Sequence, residues 1–526
     1  MGGAQAGIAI ASGVVPESGF LRWRAISVLM HDMKEREKYY ITTTIPYMND
    51  VPHIGFALEI IQADALARYA RLVGKDVFFL TGTDEHGTKI AKAAAARGLT
   101  PKSFVNKMSG AFKKLKTTLD LSWDAFIRTT DAKKHWPGVY ALWQRLVDAG
   151  DIYKKVYRGL YCPGCEAFLT DKDLVEGKCP LHNKEPELVE EENYFFRLSA
   201  YGKALRAKIK AGEMRIVPEW REREILALID EGLEDVSFSR SKEKLSWGIP
   251  VPGDENQVLY VWADALTNYI SGIGFGRDEE EFSRWWPADV HVLGKDVLRF
   301  HAAIWPAMLL SAKLPLPKVL FVHGFLTRNG QKISKSLGNV LAPDEVVGRF
   351  GVDAARYYFL REVSPVEDGD YSDQRFVERY NADLANGLGN FCARVTGLAA
   401  RRQAPVRIDR KQIDLVVEQK IKSTKDALDA AMKEFRFNDA LAAVWDLLSF
   451  GDRYVNEKKP WAKENDDIQN EIALFNLLMI LQSVGVFLAP FMPETAKKIS
   501  SSISLKGRVA RVSALPPLFP RADTGK

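Results

Sequence analysis

The sequence predicts an α/β fold: a parallel sheet split by a long insertion, followed by an all-α region. Three observations lead there. A strand, loop, helix and second strand run in order between residues 39 and 81. Short apolar strand-like segments return after residue 245, and helical periodicity takes over beyond residue 385. The chain has 526 residues, 46% hydrophobic and 27% charged, which excludes a mostly disordered chain. At about 100–200 residues per domain, it divides into roughly three to five domains.

Residues 39–45 (YYITTTI) are β-branched and aromatic, which marks a strand. Pro46, Asn49, Asp50 and Pro52 make the loop that follows. Residues 57–72 carry apolar side chains at helical spacing without Gly or Pro, so a helix is expected. Residues 76–81 (DVFFLT) form a second buried strand. This βαβ order requires parallel pairing, a Rossmann-type arrangement. Segments 258–262, 289–293 and 319–323 are expected to resume the sheet. Residues 120–245 hold three of the four cysteines and a charged stretch at 183–193, the pattern of an inserted domain. Four long helices are expected at 414–434, 437–457, 468–488 and 493–503, punctuated by Pro460, Pro490 and Pro493.

Residues 1–38 begin Gly/Ala-rich, without the basic start of a secretory signal. They are expected to be a disordered tail, or the product of a start codon placed upstream of Met30 or Met33. Apolar runs such as 472–481 fall short of the ~18–20 residues of a membrane span. The charge sum, 73 basic minus 68 acidic, is +5, too small on this length to mark a nucleic-acid binder by itself. Four cysteines are too few for a disulfide-built secreted protein, so a cytoplasmic setting is expected.

Cys162-Pro-Gly-Cys165, then thirteen residues, then Cys179-Pro-Leu-His182 make two short knuckles. Three sulfurs and one imidazole suit a tetrahedral, structural Zn²⁺ with no open position. The bland alternative is four unrelated side chains in a loop. Cys392, on an expected helix, reads as a small buried apolar residue.

His53 and Gly55 fall between the first strand and the first helix, where a phosphate meets helix N-terminal amides. Gly55 allows close backbone approach, and His53 can donate to a phosphate oxygen. Farther on, Lys332-Ile333-Ser334-Lys335-Ser336 follows the turn signal Asn329-Gly330 and precedes Leu337-Gly338-Asn339. Two lysines and two hydroxyls on a glycine-flanked loop can clamp a triphosphate while its charge moves.

His53-Ile54-Gly55-Phe56 and Lys332-Ile333-Ser334-Lys335-Ser336 together resemble the paired HIGH and KMSKS motifs of class I aminoacyl-tRNA synthetases. Within that class the flanking residues resemble the methionyl-tRNA synthetase family, from about 39 to 500. The matching segments are Thr44-Ile45-Pro46-Tyr47, Gly82-Thr83-Asp84-Glu85-His86-Gly87, Tyr260-Val261-Trp262-Ala263-Asp264-Ala265 with Tyr269, Gly294-Lys295-Asp296, and Phe300-His301.

The resemblance implies a methionine pocket of Ile45, Tyr47, Asp84, Trp262, Ala265, Tyr269, Phe300 and His301. Asp84 stands where the family holds the substrate ammonium group. Aromatic rings suit a thioether, and Tyr269 and His301 can hydrogen-bond weakly to its sulfur. The implied ATP contacts are His53, Gly55, Gly294, Lys295, Asp296, Lys332, Ser334, Lys335 and Ser336, with His53, Lys332 and Lys335 catalytic and Mg²⁺ accompanying ATP. Phe56 departs from the pattern, replacing the second histidine of the first motif. His86 is one candidate for the missing donor; an ordinary loop histidine is the other reading.

The implied partners are L-methionine and a tRNA with a CAU anticodon, met by Asn390, Arg394 and Trp461. Asn386 lies one turn earlier on the same face. Arg401, Arg402, Arg407, Arg410 and Lys411 form a basic stretch suited to the RNA backbone, or a solvated loop. The implied organisation is an extension at 1–38, half-domains at 39–119 and 246–324, the zinc-bearing insertion at 120–245, a stem-contact region at 325–385 and an anticodon bundle at 386–526. A monomer is expected. The alternatives are another class I synthetase, for cysteine or a branched aliphatic amino acid, and a non-catalytic RNA-binding relative.

Overall fold

The computed structural model describes residues 36–49, 51–164, 167–169, 173–181, 183–333, 338–402, 404–407, 412–462, 467–506 and 509–523. Most of the stretch expected to be an N-terminal extension lies outside them.

Six parallel strands form the main sheet. In chain order they are β1 (Lys38–Thr43), β2 (Asp76–Thr83), β3 (Ala125–Arg128), β4 (Arg215–Val217), β5 (Val290–Gly294) and β6 (Val319–His323). Their spatial order is β3-β2-β1-β5-β6-β4. The progression reverses between β1 and β5, where Ile41 faces Val290 and Thr43 faces Val292. At such a switch point the loops leaving the strand carboxyl ends part and leave a crevice. Helix α1 (Ile54–Leu72) packs on the sheet and buries 13 of its 19 residues, including the polar Glu59, Gln62 and Asp64. The expected strands 39–45, 76–81, 289–293 and 319–323 and the helix at 57–72 are all present.

Three expectations need correction. The insertion does not run unbroken from 120 to 245, because β3 and β4 inside it are edge strands of the main sheet. At four and three residues they are too short for periodicity to reveal. The excursion proper is an antiparallel sheet of Ile152–Cys162, Ala167–Leu169, Glu187–Phe196 and Val236–Ser237.

Segment 258–262 does not resume the parallel sheet. Asp254–Leu259 pairs antiparallel with Pro250–Val251 and Ser239–Ser241, and the chain then turns into helix α2 (Val261–Leu266). A short apolar run fits buried strand and buried helix equally well.

The boundary at 385/386 falls inside a continuous helical run from Asp373 to Ala400, whose middle turns, Tyr380–Gly389, are π-helical. Beyond it lie α3 (Leu415–Lys433), α4 (Phe437–Lys458), α5 (Asp467–Leu488) and α6 (Pro493–Ser502), within two residues of expectation. A small sheet of Val406–Arg407, Ile503–Lys506 and Val509–Val512 accompanies them. Helix α5, 22 residues long, is apolar enough to cross a membrane by length and composition, so the apolar stretch is longer than the run at 472–481 suggested. Here it is the packed centre of the bundle, with Leu474, Leu477, Leu481, Val484 and Leu488 buried.

Candidate active site

His53 caps α1 from an extended backbone. Its Nδ1 accepts the Gly55 N–H at 3.1 Å, which places the proton of the neutral imidazole on Nε2. A Cβ on Gly55 would lie 2.9 Å from His53 Cε1, so only glycine lets the ring fold against the helix start. The neighbouring Ile54 N–H donates to the Leu341 carbonyl at 3.0 Å, tying the first motif to the chain that follows the second. Phe56, in place of a histidine, packs edge-on against Phe112 with ring centroids 5.3 Å apart.

One turn into α1, Glu59 is buried. It accepts the backbone N–H and the hydroxyl of Thr44, and His323 Nε2 at 2.9 Å. His323 Nδ1 faces the Gly324 carbonyl at 2.8 Å. The Gly324 carbonyl can only accept, so Nδ1 donates, and the carboxyl group of Glu59 at Nε2 favours a positive charge on the ring. Burial works against that charge, but the Glu59 hydrogen bond and carboxylate outweigh it and raise the His323 pKa. Neither residue was singled out from the sequence; Glu59 reads there as one more α1 position.

The second motif sits beyond a tight hairpin. Leu326–Arg328 pairs with Gln331–Lys332 across Asn329 and Gly330, whose φ values are 51° and 74°. Two consecutive positive φ angles are what an Asn-Gly turn supplies. Lys332 is exposed at the end of this hairpin. Ser334, Lys335 and Ser336 lie outside the described residues.

Gly294 ends β5 and is buried, while Asp296 is exposed beside it. Lys295, expected at the nucleotide, is bonded to both carboxylate oxygens of Asp368 at 2.7 Å. Asp368 directly precedes strand Gly369–Tyr371, which pairs with Leu326–Arg328. Lys295 therefore braces the strands that carry the second motif.

On the other side of the crevice, β1 and β2 stay paired one step beyond the sheet. Tyr47 bridges Asp84: Asp84 N–H donates to Pro46 O at 3.0 Å, and Met48 N–H to Asp84 O at 3.0 Å. This sets the nearly buried Asp84 beside Tyr47. Ile45, Tyr47, Trp262 and Phe300 are half-buried and pack on one core cluster containing Tyr260 and Tyr269. The Trp262 and Phe300 rings stack at 3.7 Å with 9° between planes. Ala265, on the same helix as Trp262, is buried. Phe300 and His301 open a π-helical turn, a wide geometry frequent at functional sites.

Tyr269 O–H and His301 Nε2 are 2.7 Å apart, and His301 Nδ1 is 2.9 Å from the Val297 carbonyl. The carbonyl can only accept, so Nδ1 carries the proton. Burial lowers the His301 pKa to about 4, so the ring is neutral and its Nε2 accepts the tyrosine proton. Both protons are thus engaged. The wall they form is preorganised, and the weak hydrogen bond expected from Tyr269 or His301 to a thioether sulfur competes with this pairing.

His86 is not an open phosphate donor. It is 3% exposed and its Nδ1 lies 2.6 Å from an Asp264 carboxylate oxygen, with the Trp247 ring edge-on at 5.5 Å.

In the helical region Asn386 and Asn390 are both exposed. Arg394 donates to Asn456 Oδ1 at 2.7 Å and lies over the Trp461 ring at 5.2 Å. Trp461 is 48% exposed, just past the left-handed Lys459 that ends α4. Fold geometry thus gathers Arg394 and Trp461 into one polar, stacking surface, with Asn390 a turn away. Arg401 and Arg407 are exposed; Arg410 and Lys411 lie outside the described residues.

Residues 39–185 and 172–396 match the family model described as tRNA synthetases class I (M). Residues 414–519 match that of the anticodon-binding domain of tRNA ligase. The methionine–tRNA ligase of Thermotoga maritima is 42% identical over 483 residues, covering 90% of this chain and 76% of the relative. The chain belongs to the methionine–tRNA ligases. The Brucella suis member is 41% identical over 508 residues, covering 92% of this chain and 98% of its own. Among solved structures, Mycobacterium tuberculosis methionyl-tRNA synthetase in complex with methionyl-adenylate superposes with a TM-score of 0.86 at 37% identity, covering 92% of this chain and 99% of that one.

In this ligase the knuckle residues are half visible. Cys162 and Cys179 are buried, and each starts a turn closed by backbone pairing, Cys162 with Ala167 and Cys179 with Lys184. The remaining predicted ligands, Cys165 and His182, lie outside the described residues. Buried thiols at two tight turns fit a structural zinc site. Cys392 is fully buried on helix Asn390–Ala400, and burial pushes its thiol up to about 12, as an inert apolar filler requires.

Proposed function

We propose that the crevice activates L-methionine with ATP and that the chain then transfers the methionyl group to tRNA. The observation that carries the reading is the pairing of two unlike walls. Asp84 is held by the Tyr47 bridge; Tyr47 packs on the same apolar core as the stacked Trp262 and Phe300 rings, and Tyr269 of that core pairs with His301. Beside them His53 presents an N–H donor at the start of α1. An α-amino acid with a flexible apolar side chain satisfies both walls: its ammonium pairs with Asp84, and its thioether packs on the rings.

The methionine carboxylate attacks the ATP α-phosphate and pyrophosphate leaves, so no protein base is required. The work is alignment and stabilisation of phosphate charge. His53 Nε2–H, the first amides of α1, Lys332 and Lys335 supply that stabilisation, with Ser334 and Ser336 shaping the loop, Gly55 giving backbone access and Asp296 facing the ribose. Mg²⁺ accompanies ATP. In the second step the terminal ribose hydroxyl of tRNA attacks the adenylate carbonyl and AMP leaves. Asn390 and Arg394 read base edges of the CAU anticodon and Trp461 stacks on a splayed base. Cys162, Cys165, Cys179 and His182 hold a structural zinc that orders the insertion. The chain works as a monomer in the cytoplasm.

Pyrophosphate exchange into ATP, measured across the twenty amino acids, tests the reading. Methionine should give the dominant rate; no methionine-dependent exchange would refute it. Elemental analysis should find one zinc per chain, and none after Cys162→Ser with Cys179→Ser.

A further inference from the structure

We propose that Asp264 is a positioning residue that sets the width of the methionine pocket by joining its two walls from behind. The inference rests on the pocket reading above. Asp264 lies in α2, between Trp262 and Ala265. Residues two apart on a helix point roughly 200° apart, so Asp264 leaves the face opposite Trp262. Its carboxylate is 1% exposed and holds two imidazoles, His86 Nδ1 at 2.6 Å and His135 Nε2 at 2.7 Å.

Each imidazole reports to a different segment. His86 is two residues beyond Asp84, so it fixes the loop that presents the ammonium-binding carboxylate. His135, fully buried, shares a hydrogen bond between its Nδ1 and the Ser271 hydroxyl at 2.7 Å. Ser271 ends the short helix Asn268–Ser271 that carries Tyr269. The backbone N–H of His135 donates to the Asp131 carbonyl at 2.9 Å, anchoring the residue to the loop after β3. One carboxylate thus ties the loops leaving β2 and β3 to both helices of the pocket wall.

A buried carboxylate is an expensive way to fill space, since burial alone pushes its pKa up. The two histidines more than compensate and hold Asp264 below the usual carboxylate range. Apolar side chains of the same volume would pack here, but without the directional bonds that define ring position. The Asp264 carboxylate hydrogen-bonds to His86 and His135, neither of them assigned to methionine, so its effect on methionine passes through the walls.

The test uses the full-length enzyme and pyrophosphate exchange, varying methionine and ATP separately. Asp264→Asn should raise the methionine KM by about ten- to a hundredfold, the scale of a misplaced binding group, and leave the ATP KM within about twofold. His86→Ala and His135→Ala should each raise it too. His86→Gln and His135→Gln, which keep an N–H donor, should restore most of the loss. Active-site titration and thermal midpoints separate folding from positioning. A lower active fraction with unchanged methionine KM in the soluble variants assigns Asp264 to stability alone and overturns the proposal. If Asp264→Asn fails to fold, the His135 pair decides: no difference in methionine KM between Ala and Gln overturns it. Trp262→Ala is the control. If it leaves methionine KM unchanged, the pocket reading itself falls; if it raises KM while the Asp264 and histidine variants do not, only the positioning role falls.

Discussion

On the methionine side of the crevice, His301 gives its Nδ1 proton to the Val297 carbonyl and takes the Tyr269 proton on Nε2. On the nucleotide side, His323 donates from Nδ1 to Gly324 and meets Glu59 through Nε2. The two rings are almost equally buried, at 2% and 6% exposure, yet the His301 pKa is lowered and the His323 pKa raised. Burial alone drives an imidazole toward neutrality, so the partner decides. A dry, neutral wall suits a thioether; a histidine–carboxyl pair suits the crevice that handles phosphate. The two sides also differ in readiness. The methionine wall is packed ring on ring, whereas Lys332 and Asp296 stand exposed.

The largest effect that can break this contrast lies on the phosphate side. Lys335→Ala should lower kcat by about 10²–10³-fold, the scale of losing one transition-state donor, with methionine KM nearly unchanged. Equal losses in both would make the lysine a ground-state contact. Next comes the preformed wall. Trp262→Ala should raise methionine KM by about thirtyfold, or about 2 kcal/mol of lost burial and stacking, without altering ATP KM. A matching rise for ATP would mean that the two sides are not separate.

The pH dependence of stability sharpens the comparison further, because the two histidines pull in opposite directions. His301 has an ordinary value of 6.5 and a folded value of about 4. The unfolded chain therefore takes up the proton first, and stability falls as pH drops from 6.5 toward 4, by on the order of 3 kcal/mol. His323 has a raised folded value, so its contribution is full below the ordinary 6.5 and is lost as pH rises through the folded value. Urea midpoints from pH 4 to 9 should show a flatter acid limb in His301→Gln and a flatter upper limb in His323→Gln. An acid limb unchanged by His301→Gln would contradict the neutral assignment.

The smallest effect concerns the first motif. Phe56→His restores the family pattern but removes the contact with Phe112. It should cost about 1–2 kcal/mol in thermal stability and change kcat less than threefold, since packing holds that ring. A large gain in kcat would show that the phosphate side does lack a donor.

The helices were legible because their signal is local. The spacing of Leu441, Val444, Leu448 and Val455 in α4 sets its buried face from a few residues of chain. The Asn329-Gly330 turn was legible for the same reason. Strands β3 and β4 were not, since three or four residues gain meaning only from the neighbour they pair with. The charge partners were equally hidden. Lys295 meets Asp368, His323 meets Glu59, and His86 meets Asp264, across separations of 73, 264 and 178 residues.

By itself the sequence determined which chemical groups were present and the local elements that carry them: His53 before a helix, the lysine clamp after a turn, Trp262 and Phe300 as rings for an apolar ligand. Tertiary structure alone decided what each group does with its protons. It made His301 an acceptor, paired His323 with Glu59 and Lys295 with Asp368, buried His86, and set Asp264 between two imidazoles. The physical reason is range. Helix and turn preferences are settled within a few residues, whereas protonation and hydrogen-bond direction depend on burial and on partners that only the folded chain brings within 3 Å.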